Sequence, residues 1–330
     1  MFNKKPKLNP NIFEENVELV PIRMGFGEGL VQAGRADKNV MALTADLSES
    51  VKTDAFAKEF PNRFFEIGIA EQNLVSVASG LAAMGKIPFA ASYAMFSPGR
   101  NWEQIRTTIA YNNQPVIVVG SHAGVTTGPD GGTHQALEDI AITRVIPNMT
   151  VVVPCDHIEA RKATLALAKY GKPAYLRLGR EKTPVITVEE TSFEIGKAQI
   201  LYMPKEKMDA GIIACGFLVH TAIRVAREME LRGINVGVMN LATIKPLDEH
   251  AVAEFAKKAG AIVTVEEHQV AGGMGSAVAE CLAKTNPVPM EFVGMQDRFG
   301  ESGKGMELVN FFDLDENGIT EAVERVIHRK

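Results

Sequence analysis

Cysteine is scarce in this chain, which has only three cysteines among its 330 residues. Cys155, Cys215 and Cys281 are far apart in sequence, and each has largely apolar neighbours. This spacing fits neither a zinc site nor a disulfide framework. We therefore expect a reduced, cytoplasmic setting.

Long apolar runs and basic blocks are also missing. No run of about 18 apolar residues occurs, so we expect no membrane span. The formal net charge is −5, and no basic block is interleaved with aromatic residues, so we do not expect binding to nucleic acid. The apolar fraction of 46% is ordinary for a globular protein with a sizeable core.

Several common site motifs are absent. The run from Gly300 to Gly305 has the wrong spacing for a phosphate-binding loop, and Gly25 to Gly29 does not complete a dinucleotide fingerprint. No zinc-protease motif or paired cysteine ligands occur. The run Gly272-Gly-Met-Gly275 allows backbone amides to approach a group closely at a helix start. Tight helix–strand packing is the favoured explanation for those glycines.

Short apolar, β-branched runs alternate with helical patterns along the chain. This rhythm predicts an α/β protein of two domains, each with a mainly parallel sheet covered by helices. We place the domains at residues 12–185 and 206–330, joined by a linker at 186–205 that contains some strand. Predicted strands of the first domain are Val40–Leu43, Phe64–Ile67, Val116–Val119, Thr150–Val153 and Ala174–Leu178. Its predicted helices are Glu71–Met84, Asn101–Tyr111 and Ile158–Tyr170.

Polar residues follow the carboxyl ends of these predicted strands, where parallel α/β sheets usually hold their ligands. They are Asp46, Ser50, Glu71, His122, Asp130, His134 and Arg180. Each has a structural alternative. Asp46 could cap the helix that follows, Glu71 could be a first-turn carboxylate favoured by the helix dipole, and Arg180 could be a surface charge. Several such groups at one sheet edge favour a functional site.

Two motifs resemble the transketolase family of thiamine-diphosphate enzymes. The run Phe65-Glu-Ile-Gly-Ile-Ala-Glu71-Gln-Asn is similar to the family's pyrimidine-domain motif. The run Gly128-Pro-Asp-Gly-Gly-Thr-His134-Gln resembles the D-G-x-T-H-Q substrate loop. Further matches extend from Arg23 to Gly303, so the resemblance covers nearly the whole chain.

The resemblance covers only the family's second and third domains. The first domain of a full transketolase binds the cofactor's diphosphate through Mg²⁺ with a G-D-G run, which this sequence lacks. The resemblance therefore implies the C-terminal subunit of a split transketolase, with thiamine diphosphate as cofactor. It also implies an N-terminal partner subunit that carries most of the Mg²⁺ site, and an α₂β₂ assembly.

The resemblance assigns catalytic and cofactor roles to four polar residues. Glu71 matches the glutamate that hydrogen-bonds the aminopyrimidine and favours its imino tautomer, which takes the proton from the thiazolium carbon. His134 matches a histidine near the reacting carbons, and His122 one in the substrate channel. Asp46 matches an aspartate near the cofactor.

The resemblance also assigns the residues that contact the sugar phosphate. Asp130 matches an aspartate that reads a donor hydroxyl. Arg23, Ser50 and Arg180 match groups that hold the phosphate, as His122 and His134 hold other parts of the substrate. Guanidinium groups bind phosphate bidentately, so this residue set suits a phosphate dianion.

One segment departs from the family pattern. Ala94, Ser97 and Arg100 stand at positions that are usually aromatic and pack the aminopyrimidine. Phe96 is the first candidate for the stacking ring and Tyr93 the second. Both could instead be core aromatics.

Three other functions fit parts of the sequence. The first is 1-deoxyxylulose-5-phosphate synthase, which shares both motifs but usually lacks a histidine at the place of His122. The second is the β subunit of a 2-oxoacid dehydrogenase, which generally lacks the D-G-x-T-H-Q loop. The third is a catalytically silent scaffold subunit, which is disfavoured because Glu71 and Asp130 are both present.

Overall fold

The computed structural model describes residues 7–330, and its strands and helices alternate along most of the chain. The strands are β1 (Leu19–Pro21), β2 (Val40–Thr44), β3 (Phe64–Glu66), β4 (Ile87–Tyr93), β5 (Ile117–Ser121), β6 (Thr150–Val152), β7 (Ala174–Arg177), β8 (Lys182–Pro184), β9 (Gln199–Tyr202), β10 (Ala210–Ala214), β11 (Val236–Asn240), β12 (Thr243–Lys245), β13 (Ile262–Gln269) and β14 (Met290–Met295). The helices are α1 (Ile22–Ala36), α2 (Asp54–Glu59), α3 (Glu71–Ala83), α4 (Trp102–Gln104), α5 (Asp139–Arg144), α6 (His157–Leu167), α7 (Val219–Leu231), α8 (Glu249–Ala259), α9 (Met274–Thr285), α10 (Gly305–Phe311) and α11 (Glu316–His328).

Two mainly parallel sheets organise the molecule. The larger has seven strands in the order β12-β6-β7-β5-β4-β2-β3, and only β12 runs antiparallel to its neighbour. The smaller has five strands in the order β14-β13-β10-β11-β9, with β9 antiparallel. Central strands such as β2 and β5 are buried throughout, as expected for sheets covered by helices on both faces. The predicted α/β fold with two mainly parallel sheets is confirmed.

The two sheets exchange a strand across the predicted domain boundary. β12 follows β11 of the smaller sheet in sequence but pairs with β6 of the larger one. The amide of Val153 also donates a hydrogen bond of 2.7 Å to the carbonyl of Ala242. β9 lies within the predicted linker 186–205 and joins the smaller sheet. The domain limits remain predictions, but the chain crosses between the sheets more than once.

Helix α1 is absent from the sequence-based prediction because of its glycines. Gly25, Gly27, Gly29 and Gly34 all lie in it, and glycine weakens a helix. The structure explains Gly25 and Gly29 by close packing against α6, whereas Gly27 approaches Lys52 and Gly34 approaches Phe56. A β-carbon at Gly25 would lie 1.7 Å from the carbonyl oxygen of His157, and one at Gly29 would lie 2.8 Å from that of Arg161. This contact brings Arg23, near the start of α1, to the edge of the larger sheet.

We expect Gly25→Ala to lower the free energy of unfolding by about 1–3 kcal/mol or more, because the new methyl group overlaps the α6 backbone. Gly80→Ala is the matched control in α3, where no heavy atom lies within 4 Å of the added β-carbon. It should raise stability by about 0.5–1 kcal/mol through helix propensity alone. Denaturant unfolding of the lone chain measures both, and equal effects would contradict the packing explanation.

Strand β4 was also missed, and Pro88 is the reason. Proline cannot donate a hydrogen bond to a neighbouring strand and normally argues against a central strand. Here it stands second in β4, between β2 and β5. β4 matters for the site because Tyr93 ends it and Phe96 follows. Among residues 7–330, no helix is long and apolar enough to cross a membrane.

Candidate active site

Glu71 begins helix α3, which follows strand β3 at the carboxyl edge of the larger sheet. Its side chain is 2% exposed. One carboxylate oxygen, Oε2, lies 3.2 Å from Nη1 of Arg100. Within residues 7–330 the other oxygen, Oε1, accepts no hydrogen bond. A buried carboxylate at a helix start with one unused oxygen is available to a ligand with a hydrogen-bonding nitrogen.

Four rings form a row that leads away from the Glu71 region. Phe96 meets His134 edge to face at 5.3 Å between centroids. Tyr93 lies 6.2 Å from Phe96 and stacks on His122 at 3.9 Å, with 23° between the last two planes. The row is built by two adjacent strands, β4 and β5, together with the loop that follows β5. Predicted site residues from separate motifs therefore meet.

His122 sits at the far end of this row in a left-handed backbone conformation, with φ 56°. Such a φ is uncommon for a residue other than glycine and is often found at functional sites. Its Nδ1 lies 2.9 Å from Oγ of Ser121, and its Nε2 lies 3.3 Å from Nη1 of Arg23. Because Arg23 can only donate, Nε2 is assigned as the acceptor and Nδ1 as the protonated nitrogen.

Burial lowers the pKa of His122 to about 3, with further contributions from Arg23, Arg180 and Lys52. The ring is therefore neutral near pH 7 and does not compete with the arginines for an anion. Lys52, with φ 66°, was not predicted as a site residue. No motif in the sequence marks it, because its nearness to His122 arises only from folding.

Arg23 and Arg180 provide an anion-binding corner beside His122. Burial lowers the pKa of Arg23, and the charge of Arg180 lowers it further. The buried Nε of Arg23 has no hydrogen-bond partner among the described residues. Arg180 donates to the carbonyl of Thr127 and lies 3.9 Å from a carboxylate oxygen of Asp130. Two adjacent guanidinium groups with unused donors fit a terminal phosphate or a similar oxyanion.

The predicted substrate loop is supported by the second domain. Nε2 of Gln135 donates to the carbonyl of Gly128 at 3.1 Å and to that of Glu301 at 2.8 Å. A β-carbon at Gly132 would lie 2.5 Å from the carbonyl oxygen of Gly300. The spacing of segment 300–305 excluded it as a phosphate-binding loop. In the structure this segment packs against the loop that carries Asp130 and His134 and supports it.

A buried ionic network lies behind the same loop. The carboxylate of Asp139 accepts hydrogen bonds from Nε of Arg177 at 2.8 Å and from the hydroxyl of Tyr175 at 2.6 Å. Arg177 also donates to the carbonyl of Glu267 in β13 at 2.8 Å. Oε1 of Glu267 accepts a hydrogen bond of 2.6 Å from the amide of Thr126, and burial raises the pKa of Glu267 to about 7. These bonds join β7 and Thr126, which lies just before the predicted substrate loop, to β13.

The glycine run before α9 serves an internal carboxylate. The amides of Met274 and Gly275 each donate a 2.7 Å hydrogen bond to Glu266. A β-carbon at Gly273 would lie 2.3 Å from a carboxylate oxygen of that residue. The glycines therefore allow the side chain of Glu266 to approach the backbone closely. This contact supports tight helix–strand packing as the explanation for the glycines.

Asp46 and Ser50 lie at the same edge but stand apart from the row of rings. Asp46 has φ 59°, is exposed, and donates its amide to Glu66 at 2.7 Å. The alternative that it caps a helix is wrong, because the next helix is preceded by Thr53. Within residues 7–330, no hydrogen bond, ion pair or ring contact joins Asp46 or Ser50 to His122 or Arg23.

Comparisons with known proteins give one consistent result. A family model described as "Transketolase, pyrimidine binding domain" matches residues 19–185, and one described as "Transketolase, C-terminal domain" matches residues 196–319. The "Putative transketolase C-terminal section" of Methanocaldococcus jannaschii is 44% identical over 306 residues, covering 92% of this chain and 95% of that protein. The "6-deoxy-6-sulfo-D-fructose transketolase subunit" of a Clostridium species is 40% identical over 318 residues, covering 96% and 98%.

A solved structure gives the same result in three dimensions. A chain described as "Split gene transketolase, inactive beta4 tetramer" matches with a TM-score of 0.87 and 41% identity. The match covers 94% of this chain and 99% of that one. Both domains, and not one of them alone, are therefore shared with that protein.

Proposed function

This chain belongs to the transketolase family, and from that premise we propose that it is the pyrimidine-binding subunit of a split transketolase. The proposed reaction transfers a two-carbon glycolaldehyde unit from a ketose phosphate to an aldose phosphate. The observation that carries the proposal is one continuous site. Buried Glu71 lies near one end of a row of rings, and Arg23 meets the other end.

The site fits thiamine diphosphate at the Glu71 end. Glu71 keeps Oε1 for a hydrogen bond to the aminopyrimidine, and the half-buried ring of Phe96 offers an apolar face. When bound, the cofactor supplies the electron sink for the transferred carbon unit. Glu71 would control the proton on the pyrimidine, and Phe96 and Tyr93 would hold its position. We assign Mg²⁺ and the diphosphate to the partner subunit.

The site fits a sugar carrying a terminal oxyanion at the other end. Arg23 and Arg180 would bind the oxyanion, and neutral His122 would bridge from Arg23 toward the sugar. Asp130 and His134 lie on the loop that follows β5, where Asp130 would read a donor hydroxyl and His134 would lie near the reacting carbons. Asp46 and Ser50 are proposed to complete the cofactor and phosphate contacts in the assembled enzyme, since they share this sheet edge.

We propose an N-terminal transketolase subunit as the partner, in an α₂β₂ assembly located in the cytoplasm. The similar Clostridium protein is described as a transketolase subunit. The similar solved structure is described as a split gene transketolase in the form of an inactive β4 tetramer. These words support the expectation that the lone chain is inactive.

A coupled assay tests this proposal. Glycolaldehyde transfer from xylulose 5-phosphate to ribose 5-phosphate is measured with thiamine diphosphate and Mg²⁺, for the chain alone and with the partner. We expect activity only in the mixture. Product from pyruvate and glyceraldehyde 3-phosphate instead would establish the synthase, and activity of the lone chain would refute partner dependence. A parallel assay with 6-deoxy-6-sulfo-D-fructose tests a sulfonate donor.

We expect Arg180→Met and Arg23→Met to raise KM for a phosphorylated donor by roughly 10- to 100-fold, since each removes a charge-assisted hydrogen bond of about 1.5–3 kcal/mol. The change in kcat should be smaller, because the phosphate lies away from the reacting carbons. The same sugar without its phosphate is the control donor, and its KM should change little. Equal losses for both donors would contradict the phosphate assignment.

A further inference from the structure

Lys52 lies beside the anion-binding corner that Arg23 and Arg180 form. A β-carbon at Gly27, one turn after Arg23 in α1, would lie 2.9 Å from the β-carbon of Lys52 and 2.8 Å from its carbonyl oxygen. The positive charge of Lys52 also acts on His122, whose pKa it lowers together with the two arginines. The lysine therefore adds a third positive charge to this part of the site.

The amine of Lys52 has no counter-charge in contact with it. Within residues 7–330 this amine takes part in no hydrogen bond and no ion pair. Arg180, in contrast, lies 3.9 Å from a carboxylate oxygen of Asp130. Lys52 is half-buried, so water solvates it only in part. A half-buried cation without an acidic partner is available to neutralise charge on a bound anion.

The backbone of Lys52 is held in a left-handed conformation, with φ 66°. The amide of Val51 donates a 2.9 Å hydrogen bond to the carbonyl of Leu47, and that of Thr53 donates a 3.0 Å hydrogen bond to the carbonyl of Ser48. Val51 and Thr53 are fully buried, so the turn on both sides of the lysine is fixed. Glycine would adopt this φ with less strain. Backbone strain of this kind clusters at functional sites, which favours a role for the lysine side chain.

The number of charges distinguishes the two kinds of oxyanion that a donor sugar can carry here. A phosphate monoester carries a charge of about −1.5 to −2 at pH 7, whereas a sulfonate carries a single negative charge. Each has three terminal oxygens, so the guanidinium groups of the corner can donate hydrogen bonds to either. Coulomb energy is proportional to the product of the charges, so one more cation attracts a dianion about twice as strongly as a monoanion.

We propose that Lys52 is a specificity-determining residue, which makes the site prefer a ketose with a phosphate dianion over the same ketose with a sulfonate monoanion. This inference rests on the proposed function, because it takes the bound oxyanion to be the terminal group of the donor sugar. Arg23 and Arg180 bind either oxyanion, and Lys52 adds the preference for the higher charge. The strained turn is then explained by the position that it gives to this side chain.

Steady-state kinetics of the complex with its partner test the preference, with fructose 6-phosphate and 6-deoxy-6-sulfo-D-fructose as donors at constant ionic strength. Lys52→Met should raise KM for the phosphate donor by about three- to tenfold. For the sulfonate donor it should raise KM by about two- to threefold, the square root of that change, because the charge is half as large. The kcat values should change less, since the oxyanion lies away from the reacting carbons. Lys52→Arg keeps the charge and should retain most of the preference.

Lys58→Met is the matched control in α2. Its side chain is 80% exposed and paired with Asp54, and its loss changes the net charge of the protein equally. Both KM values should stay at the wild-type level in this variant. Equal changes of KM for the two donors in Lys52→Met, or no change with either donor, would overturn the inference.

Thermal unfolding of the lone chain tests Lys52 without the transfer reaction. At about pH 8, where inorganic phosphate is a dianion, phosphate should raise the unfolding midpoint more than methanesulfonate does at equal ionic strength. Lys52→Met should remove most of this difference. An unchanged difference in the variant would overturn the role of Lys52, even where the wild-type complex is active. If the wild-type complex transfers glycolaldehyde from neither donor, the proposed function itself fails, and the two failures are therefore distinguishable.

Discussion

Glu71→Gln is expected to lower kcat of the assembled enzyme by about 10²- to 10⁴-fold, the usual contribution of a positioned general acid or base. The amide has nearly the size of the carboxyl group but cannot exchange a proton with a bound heterocycle. Glu71 begins α3 with its side chain buried, so solvent offers no ready replacement for the missing group. Coupled kinetics at saturating cofactor measure the loss.

The fold should survive this substitution because the ion-pair partner of Glu71, Arg100, is more than half exposed and can be solvated by water. Glu103→Gln, on the exposed surface of α4, is the control and should keep wild-type kcat. Cofactor titration separates a loss of binding from a loss of turnover. Near-normal kcat in Glu71→Gln with normal cofactor binding would rule out the assigned role.

Arg177→Met is expected to lower the free energy of unfolding by about 3–5 kcal/mol, since it leaves a buried carboxylate without its cation. The side chains of Arg177 and Asp139 are 6% and 1% exposed. Oδ1 of Asp139 already lacks a hydrogen-bond partner among the described residues, so the remaining support would be the hydroxyl of Tyr175. Denaturant unfolding of the lone chain gives the measurement.

Two further variants test the cause of that loss. Arg35→Met removes an exposed arginine paired with Glu59 and should leave stability nearly unchanged. The double variant Arg177→Met with Asp139→Leu should recover part of the loss, because the carboxylate of Asp139 no longer stays buried without its cation. If the double variant is as unstable as the sum of its parts, the charge explanation is wrong.

The alternation of strands and helices was predicted well from the sequence, because buried parallel strands are largely apolar, as in β2 and β5. The prediction failed where tertiary contacts override local preference. In β13 the apolar run ends at Val265, but the strand continues to Gln269. Glu266 and Glu267 conceal that continuation, because each charge is satisfied by backbone amides elsewhere in the fold. Helix Asn101–Tyr111 was predicted as regular, whereas residues Ile105–Ala110 form a wider π-helical turn.

The sequence motifs predicted part of the candidate site. Residues of the site that lie outside any motif were not predicted. His122, His134, Tyr93 and Phe96 belong to recognisable runs, and the fold brings them into one row of rings. The partnership of Arg100 with Glu71 spans 29 positions and follows no short spacing. Its one signal was an arginine where the family usually has an aromatic ring.

The crossing of β12 from one sheet to the other bears on how such proteins can evolve. Thr243–Lys245 forms the edge of the larger sheet, and Lys245 also donates a 2.8 Å hydrogen bond to the carbonyl of Arg144. In a chimera that joins the first domain of one relative to the second domain of another, β12 would come from one protein and the larger sheet from the other. The strand and the sheet that it completes would then not have evolved together. We therefore expect natural recombination to keep these two domains together.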